Sequence, residues 1–266
     1  QLIHRREENG LIYYTCDTIT TPHLFTTKFG GVSTGYLSSL NLGFNRGDER
    51  ENVLKNYQIL ADHFGVPRER MTMTKQVHGD CVRVVDENTM GMGLGQPMSW
   101  QTDAIVTNLP NVPLCGYYAD CVVTLLHDPV SRSIGVCHSG WRGTVERMGL
   151  ATLDKMKAEF GTDPADVYAA IGPSICQDCY EVSEDVADAF AEAFAGHEEE
   201  ILIDKGNGKY QLDLWKANEI VMLDAGVKRE HLAVTNICTC CNERLLFSHR
   251  ASKGKRGNLG AFLMLR

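Results

Sequence analysis

The sequence has no apolar run approaching the ~20 residues that a membrane-spanning helix needs. Its longest apolar stretches, such as 122–126, have the length of a strand. Positive charge is also in short supply, because 26 Lys and Arg residues stand against 34 Asp and Glu residues and the formal net charge is −8. Binding to nucleic acid or to an anionic membrane depends on a basic surface. We therefore expect neither as a partner.

The chain also lacks internal repeats, low-complexity tracts and long Pro/Gly/Ser linkers, so residues 1–266 are expected to form one domain. No apolar stretch follows the charges of the first six residues, which predicts no signal peptide and a cytoplasmic location. The ten cysteines fall in unequal groups rather than at regular spacing. We interpret them as reduced thiols and not as a disulfide framework.

Short runs rich in β-branched and apolar residues predict strands at 82–85, 104–106, 122–127 and 134–138. Apolar residues at helical spacing predict helices at 144–160, at 183–195 with Ser183 as N-cap, and at 213–225 before Gly226. Sheet and helices are thus interleaved, and the fold class is α/β or α+β.

Three residues with metal-binding side chains follow predicted strands. His78 precedes a glycine, Cys121 follows the apolar run 114–119 and Asp120, and His138 leads into the run Ser139-Gly140-Trp141-Arg142-Gly143. Functional side chains gather where strands end, because the scaffold is rigid and the loops leave space. Two histidines and one cysteine would bind zinc with a fourth position open, as in catalytic zinc sites.

The spacing leaves two alternatives open. Cys121 and His138 could fill core space, or Cys121 could act as a metal-free thiolate nucleophile activated by a histidine. Asp120 fits either active-site interpretation, since it could orient a ligand histidine or stabilise an imidazolium.

Two further cysteine pairs, Cys176/Cys179 and Cys238/Cys241, have the Cys-x-x-Cys spacing of a structural zinc site. They are far apart in sequence, are flanked by apolar strand residues and could simply be buried thiols.

Several motifs together make the sequence similar to the YfiH or laccase-domain family over nearly the whole chain. The motifs include Ser39-Leu40-Asn41-Leu42-Gly43, Gln76-Val77-His78-Gly79, Ala119-Asp120-Cys121, His138-Ser139-Gly140-Trp141-Arg142-Gly143, Ile171-Gly172-Pro173-Ser174-Ile175 and Phe247-Ser248-His249-Arg250. The resemblance implies a four-layer α/β/β/α sandwich with mixed sheets, similar in fold to a toxin deamidase with a Cys/His site.

The resemblance also implies a function. Family members are described as zinc-dependent purine nucleoside phosphorylases that also deaminate adenosine, with zinc on the residues that correspond to His78, Cys121 and His138. The expected partners are phosphate and adenosine, inosine or methylthioadenosine, and a homodimer is compatible with the resemblance. The expected catalytic residues are His78, Cys121, His138 and Asp120, with Asp120 as a candidate to shuttle a proton. The expected substrate-binding residues come from the matching motifs: Lys28, Ser39, Asn41, Lys75, Gln76, Arg142 and Arg250.

Other functions fit the same residues. A zinc amidase that edits peptidoglycan precursors would use the same ligands, and a structural or storage metal protein would use the cysteine pairs. Copper is the alternative metal, but a multicopper oxidase needs paired His-x-His motifs, which the nine histidines do not form.

The sequence departs from familiar family members at Lys28 and Tyr57, where arginine is common. If the usual arginine at position 57 contacts substrate, Tyr57 would alter that contact.

Overall fold

The computed structural model describes residues 2–266, which form fifteen strands and seven α-helices. The strands are β1 (Ile3–Glu8), β2 (Leu11–Cys16), β3 (His23–Thr26), β4 (Thr72–Met73), β5 (Val82–Val84), β6 (Ala104–Thr107), β7 (Leu114–Tyr118), β8 (Val122–Asp128), β9 (Ser133–Ser139), β10 (Tyr168–Ile171), β11 (Glu181–Ser183), β12 (Leu202–Gly206), β13 (Lys209–Leu212), β14 (Leu232–Val234) and β15 (Leu259–Leu263). The helices are α1 (Arg50–Phe64), α2 (Trp141–Val145), α3 (Met148–Phe160), α4 (Glu184–Ala193), α5 (Glu198–Ile201), α6 (Leu214–Asp224) and α7 (His249–Ser252).

Two six-stranded sheets form the centre of the molecule. The first has the order β1-β2-β3-β15-β7-β4 and the second the order β14-β10-β8-β9-β6-β5, while β11, β13 and β12 make a small third sheet. Both large sheets are mixed, because β4 runs parallel to β7 in the first, and β14 and β5 run parallel to their neighbours in the second.

The alternation of side chains along β8 shows how the layers pack. Val123 and Leu125 belong to the core between the two sheets, whereas Val122 and Leu126 belong to a second core under the helices. Successive strand residues point to opposite faces, so a strand covered on both faces is apolar throughout. All seven residues of β8 are buried accordingly.

Helices cover the outer face of each sheet. Helix α1 places Val53, Tyr57, Leu60 and Phe64, at helical spacing, against the first sheet, and ends at Gly65 with a left-handed φ of 70°. Helices α3 and α6 pack on the second sheet in the core that contains Val122. The order helix, sheet, sheet, helix confirms the four-layer α/β/β/α sandwich.

The predicted strands are confirmed within one residue or two at their ends. The predicted helix at 144–160 is wrong in its first part, since the chain breaks between α2 and α3 at Arg147, which has a left-handed φ of 56°. Ser183 is the N-cap residue of α4, but its hydroxyl bonds the Asp185 carboxylate and not a helix N–H. Helix α1 was not predicted. None of the helices within residues 2–266 is long and apolar enough to cross a membrane.

Candidate metal centre

The chain passes from the first sheet to the second between β7 and β8, and Cys121 lies at this crossing. His138 is the penultimate residue of β9, which pairs with β8, and Val123 lies opposite it. His78 lies in the loop between β4 and β5. The ligand atoms of His78, Cys121 and His138 lie within 4.8 Å of one another, so the fold brings the predicted trio together.

Asp103 organises this centre from just before β6. Its carboxylate accepts N–H bonds from Val77, His78 and Gly79 at 2.9 to 3.1 Å. It also pairs with Nδ1 of His138 at 2.8 Å. Since His138 thus uses Nδ1 on the carboxylate, its Nε2 is free to bind a metal, the arrangement in which a carboxylate fixes the tautomer of a ligand histidine.

The charge state of the trio depends on these contacts. Burial favours the neutral form of His138, but its hydrogen bonds with Asp103 and Cys121 outweigh burial and raise the pKa of the imidazole to about 9. Burial and the nearby His138 lower the pKa of His78. A metal cation bound at the trio would compete with the proton that these contacts favour on His138.

The backbone at the centre adopts uncommon conformations. His78 has a φ of 57° and Asp120 a φ of 113°, both in the region that favours glycine. Such strain persists only where surrounding contacts hold it, and it concentrates at functional sites. For His78 those contacts are the three N–H bonds to Asp103.

Gly140 packs directly against the centre. A Cβ added there would meet Nδ1 of His78 at 2.9 Å and Sγ of Cys121 at 3.3 Å. The Gly140→Ala variant should therefore displace both ligands and weaken metal binding by about tenfold or more. Competitive titration with a metal-binding dye measures the affinity. The matched control is Gly79→Ala, whose Cβ would meet only Val77 at 3.5 Å; equal affinities in the two variants would contradict this packing.

The carboxylate of Asp120 does not contact a histidine of the trio, although Asp120 is next to Cys121 in sequence. Its carboxylate accepts hydroxyl bonds from Thr239 and Ser248 and the N–H of Arg250, all at 2.7 Å. These contacts tie the crossing at Cys121 to the loop between β14 and α7 and to α7 itself. The carboxylate that contacts a histidine of the trio is that of Asp103.

A cleft of about 650 Å³ opens over the trio. This volume is in the range of small-molecule sites. Its walls carry aromatic and cationic side chains, and they include Phe44, Arg46, Lys75, Gln76, Trp141, Tyr180, His249, Arg250 and Arg256.

The guanidinium groups of the cleft are free of ion pairs in the part of the chain that the structure describes. Among residues 2–266, no ion pair involves Arg46, Arg250 or Arg256. Arg46 donates to the backbone carbonyls of Gly254 and Arg256 at 2.6 and 3.0 Å. Burial and the neighbouring Arg46 lower the pKa of Arg256 to about 10. An anion bound here would relieve this repulsion.

The residues predicted to bind substrate separate into two groups. Lys75, Gln76 and Arg250 line the cleft. Arg142 is exposed beside it, with its guanidinium 4.3 Å from the centre of the Trp141 ring. The amide of Gln76 pairs with the backbone of Tyr117 on β7, at 2.8 and 3.0 Å, so it positions the His78 loop.

The other three do not line the cleft. Lys28 donates to the carbonyl of Glu243 at 2.5 Å, and Ser39 accepts the N–H groups of Gly30 and Gly31. Asn41 is buried and bonds Gly43 and Asp48. Tyr57 is also fully buried, with its hydroxyl bonded to Leu42 and Tyr117 at 2.7 Å, so its contacts are structural.

Fold and centre together define an α/β sandwich with a His, Cys, His group at the floor of a cationic cleft. The chain belongs to the family described as multi-copper polyphenol oxidoreductase laccase, whose model matches residues 22–266. A crystal structure of the Bacillus licheniformis hypothetical protein YfiH has a TM-score of 0.92 at 29% identity and covers 98% of each chain. The expected resemblance to YfiH is confirmed.

Two curated relatives have names that describe nucleoside chemistry. The purine nucleoside phosphorylase YlmD of Bacillus subtilis is 36% identical over 241 residues, 90% of this chain and 86% of that protein. The adenosine deaminase RL5 of an unknown prokaryotic organism is 34% identical over 229 residues, 85% of this chain and 87% of that protein.

Proposed function

We propose that the protein is a zinc-dependent purine nucleoside phosphorylase that cleaves adenosine, inosine and methylthioadenosine with phosphate and also deaminates adenosine. The observation that carries the proposal is the cleft itself, in which unpaired arginines face a candidate metal centre. The arginines would bind the anionic phosphate nucleophile, and the other polar and aromatic side chains of the cleft would bind the nucleoside. The names of the relatives support the same chemistry.

The donor set favours zinc over the copper in the family's description. Residues 2–266 contain two groups of three or more neighbouring metal-binding side chains, and only the trio includes histidine. A multicopper oxidase needs several histidine-rich copper sites. Two nitrogens and one sulfur suit a zinc ion with an open fourth position, and when bound the ion would supply Lewis-acid and water-activating chemistry.

In phosphorolysis a phosphate oxygen bonds C1′ of the ribose while the bond from C1′ to the purine nitrogen breaks. The electron pair of that bond goes to the purine, which leaves as the free base after taking a proton. We assign phosphate to the side of the cleft with Arg46, Arg250 and Arg256, because guanidinium groups bind phosphate through paired N–H bonds. Aromatic side chains such as Tyr180 and Trp141 offer faces on which a purine can stack.

The proposal predicts a phosphate-dependent reaction. Zinc-loaded protein incubated with inosine and phosphate should yield hypoxanthine and ribose 1-phosphate in equal amounts, as measured by liquid chromatography and phosphorus NMR. Adenosine should give adenine, together with inosine from deamination. Release of free ribose independent of phosphate would contradict the proposal, and so would cleavage of a muramyl peptide without any base release.

The Arg256→Met variant should raise the KM for phosphate by about tenfold or more, since a hydrogen bond to a charged group contributes about 1.5–3 kcal/mol. The KM for inosine should change much less, and Arg256→Lys should recover part of the loss. Initial rates at varied phosphate measure both constants. The control is Arg83→Met, which removes an exposed arginine on β5. An unchanged phosphate KM in Arg256→Met would contradict the assignment.

A further inference from the structure

Two loops outside the cleft bring four cysteines together. Cys176 and Cys179 lie between β10 and β11, and Cys238 and Cys241 follow β14. The backbone aligns the loops, because the N–H of Ser174 bonds the carbonyl of Ile237 at 3.1 Å and the N–H of Thr239 bonds the carbonyl of Ser174 at 3.2 Å. The fold thus joins two Cys-x-x-Cys pairs whose corresponding members are 62 residues apart.

The four sulfurs have the spacing of a tetrahedral site. Sγ of Cys241 lies 3.8 Å from that of Cys176 and 3.4 Å from that of Cys179, and all four lie within 4.8 Å of one another. Sulfurs on a tetrahedral zinc, at about 2.3 Å from the metal, are separated by about 3.8 Å. All four cysteines are free thiols, and these distances are far longer than the ~2.05 Å of a disulfide.

Backbone N–H groups point at one of the sulfurs. Sγ of Cys238, which is buried, accepts the N–H of Cys176 and the N–H of Cys241, both at 3.3 Å. Each bond comes from a different loop, and both place positive dipoles where a thiolate would carry its charge. Hydrogen bonds of this kind orient metal ligands and stabilise their deprotonated form.

We propose that Cys176, Cys179, Cys238 and Cys241 bind a second, structural zinc ion. Four protein sulfurs fill a tetrahedron and leave no position for substrate, which distinguishes this cluster from the three-ligand centre in the cleft. The proposal does not depend on the proposed function, because it needs neither the trio nor a nucleoside.

The four cysteines Cys176, Cys179, Cys238 and Cys241, here called the tetrathiolate cluster, lie where a bound ion would stabilise the cleft. Thr239 lies between two of its ligands and donates its hydroxyl to the carboxylate of Asp120, the neighbour of Cys121. Tyr180 follows Cys179 and lines the cleft. The second zinc would therefore fix the loop that precedes Tyr180, and with it the loop in which Thr239 holds the crossing at Cys121.

The test separates the two sites by removing the first one. Wild-type protein purified in zinc-containing medium should contain about two zinc ions per chain by plasma mass spectrometry, and the His78→Ala/Cys121→Ala double variant about one. The double variant leaves the tetrathiolate cluster intact. If it contains no zinc while its circular dichroism matches the wild type, the proposal is overturned.

Adding Cys241→Ser to the double variant should remove the remaining zinc. The matched control is Cys240→Ser, which changes the neighbouring cysteine outside the cluster and should keep it. Cobalt loading of the folded double variant gives an independent measurement, since four thiolates around cobalt produce intense sulfur-to-metal absorption bands. Absence of those bands, or retention of full zinc in the Cys241→Ser protein, would contradict the proposal.

Discussion

Replacing Asp103 with asparagine is expected to weaken metal binding by about 10–100-fold and to lower kcat/KM for inosine at least as much. In the wild-type protein the Asp103 carboxylate accepts four hydrogen bonds, three from the His78 loop and one from Nδ1 of His138. An amide can donate to Nδ1 and so favour the tautomer with the proton on Nε2, where the metal should bind. Isothermal titration with zinc and steady-state rates measure the two effects.

The control for this variant is Asp80→Asn, which changes an exposed carboxylate in the same loop. Excess zinc should restore part of the activity of Asp103→Asn if Asp103 positions a ligand, whereas a general loss of folding would not respond to zinc. Wild-type zinc affinity in Asp103→Asn would refute the role given to this residue.

Replacing Cys121 with alanine is expected to have the largest effect of any single change, with loss of the zinc in the cleft and more than about a hundredfold loss of activity. Cys121 would supply the one anionic ligand of the proposed zinc site, and the two remaining imidazoles would bind zinc weakly. Zinc content and inosine phosphorolysis are measured together. Cys81→Ser, which removes a half-buried cysteine outside the trio, serves as the control.

Chelation and the His78→Ala variant separate the metal site from the metal-free Cys121 nucleophile, because Cys121→Ala would abolish activity in both cases. If Cys121 acts as a nucleophile, chelators should leave wild-type activity intact, and His78→Ala should keep its zinc content unchanged. If the trio binds zinc, chelation should abolish activity and added zinc should restore it.

The trio could be predicted from sequence because each member lies in a recognisable motif beside a glycine or a strand end. Asp103 could not, since it lies 25 residues from His78 and 35 from His138, and nothing nearby marks it as different from other acids before a strand. Asp120 was the more obvious choice, as the neighbour of Cys121. The structure shows that its partners are Thr239 and Ser248, which come from a distant loop.

The strands and helices show the same contrast, because some are determined by their own sequence and others by packing against distant residues. Strand β8 was predictable because burial on both faces makes it apolar throughout. Helix α1 was not predicted, because charged and polar residues dominate its sequence. Its buried residues Val53, Tyr57, Leu60 and Phe64 are three or four positions apart, the helical spacing that could have revealed it. The break at Arg147 has no such signal, because arginine is an ordinary helix residue and tertiary packing sets its left-handed conformation.

The cleft cations illustrate why substrate residues are harder to predict than metal ligands. Arg46 and Arg256 are far apart in sequence, and the fold places one guanidinium on the backbone of the other. Lys28 and Asn41 come from motifs typical of the family, yet their polar groups bond other parts of the protein. A family motif therefore shows that a residue matters to the protein. The fold is needed to tell whether its side chain faces substrate or bonds the protein itself.

The most direct test of the metal centre is anomalous diffraction at the zinc absorption edge from crystals of the wild-type protein. We predict a zinc peak within about 2.0–2.3 Å of a ring nitrogen of His78, Sγ of Cys121 and Nε2 of His138. A crystal of zinc-replete protein with no peak between these three side chains would contradict the account.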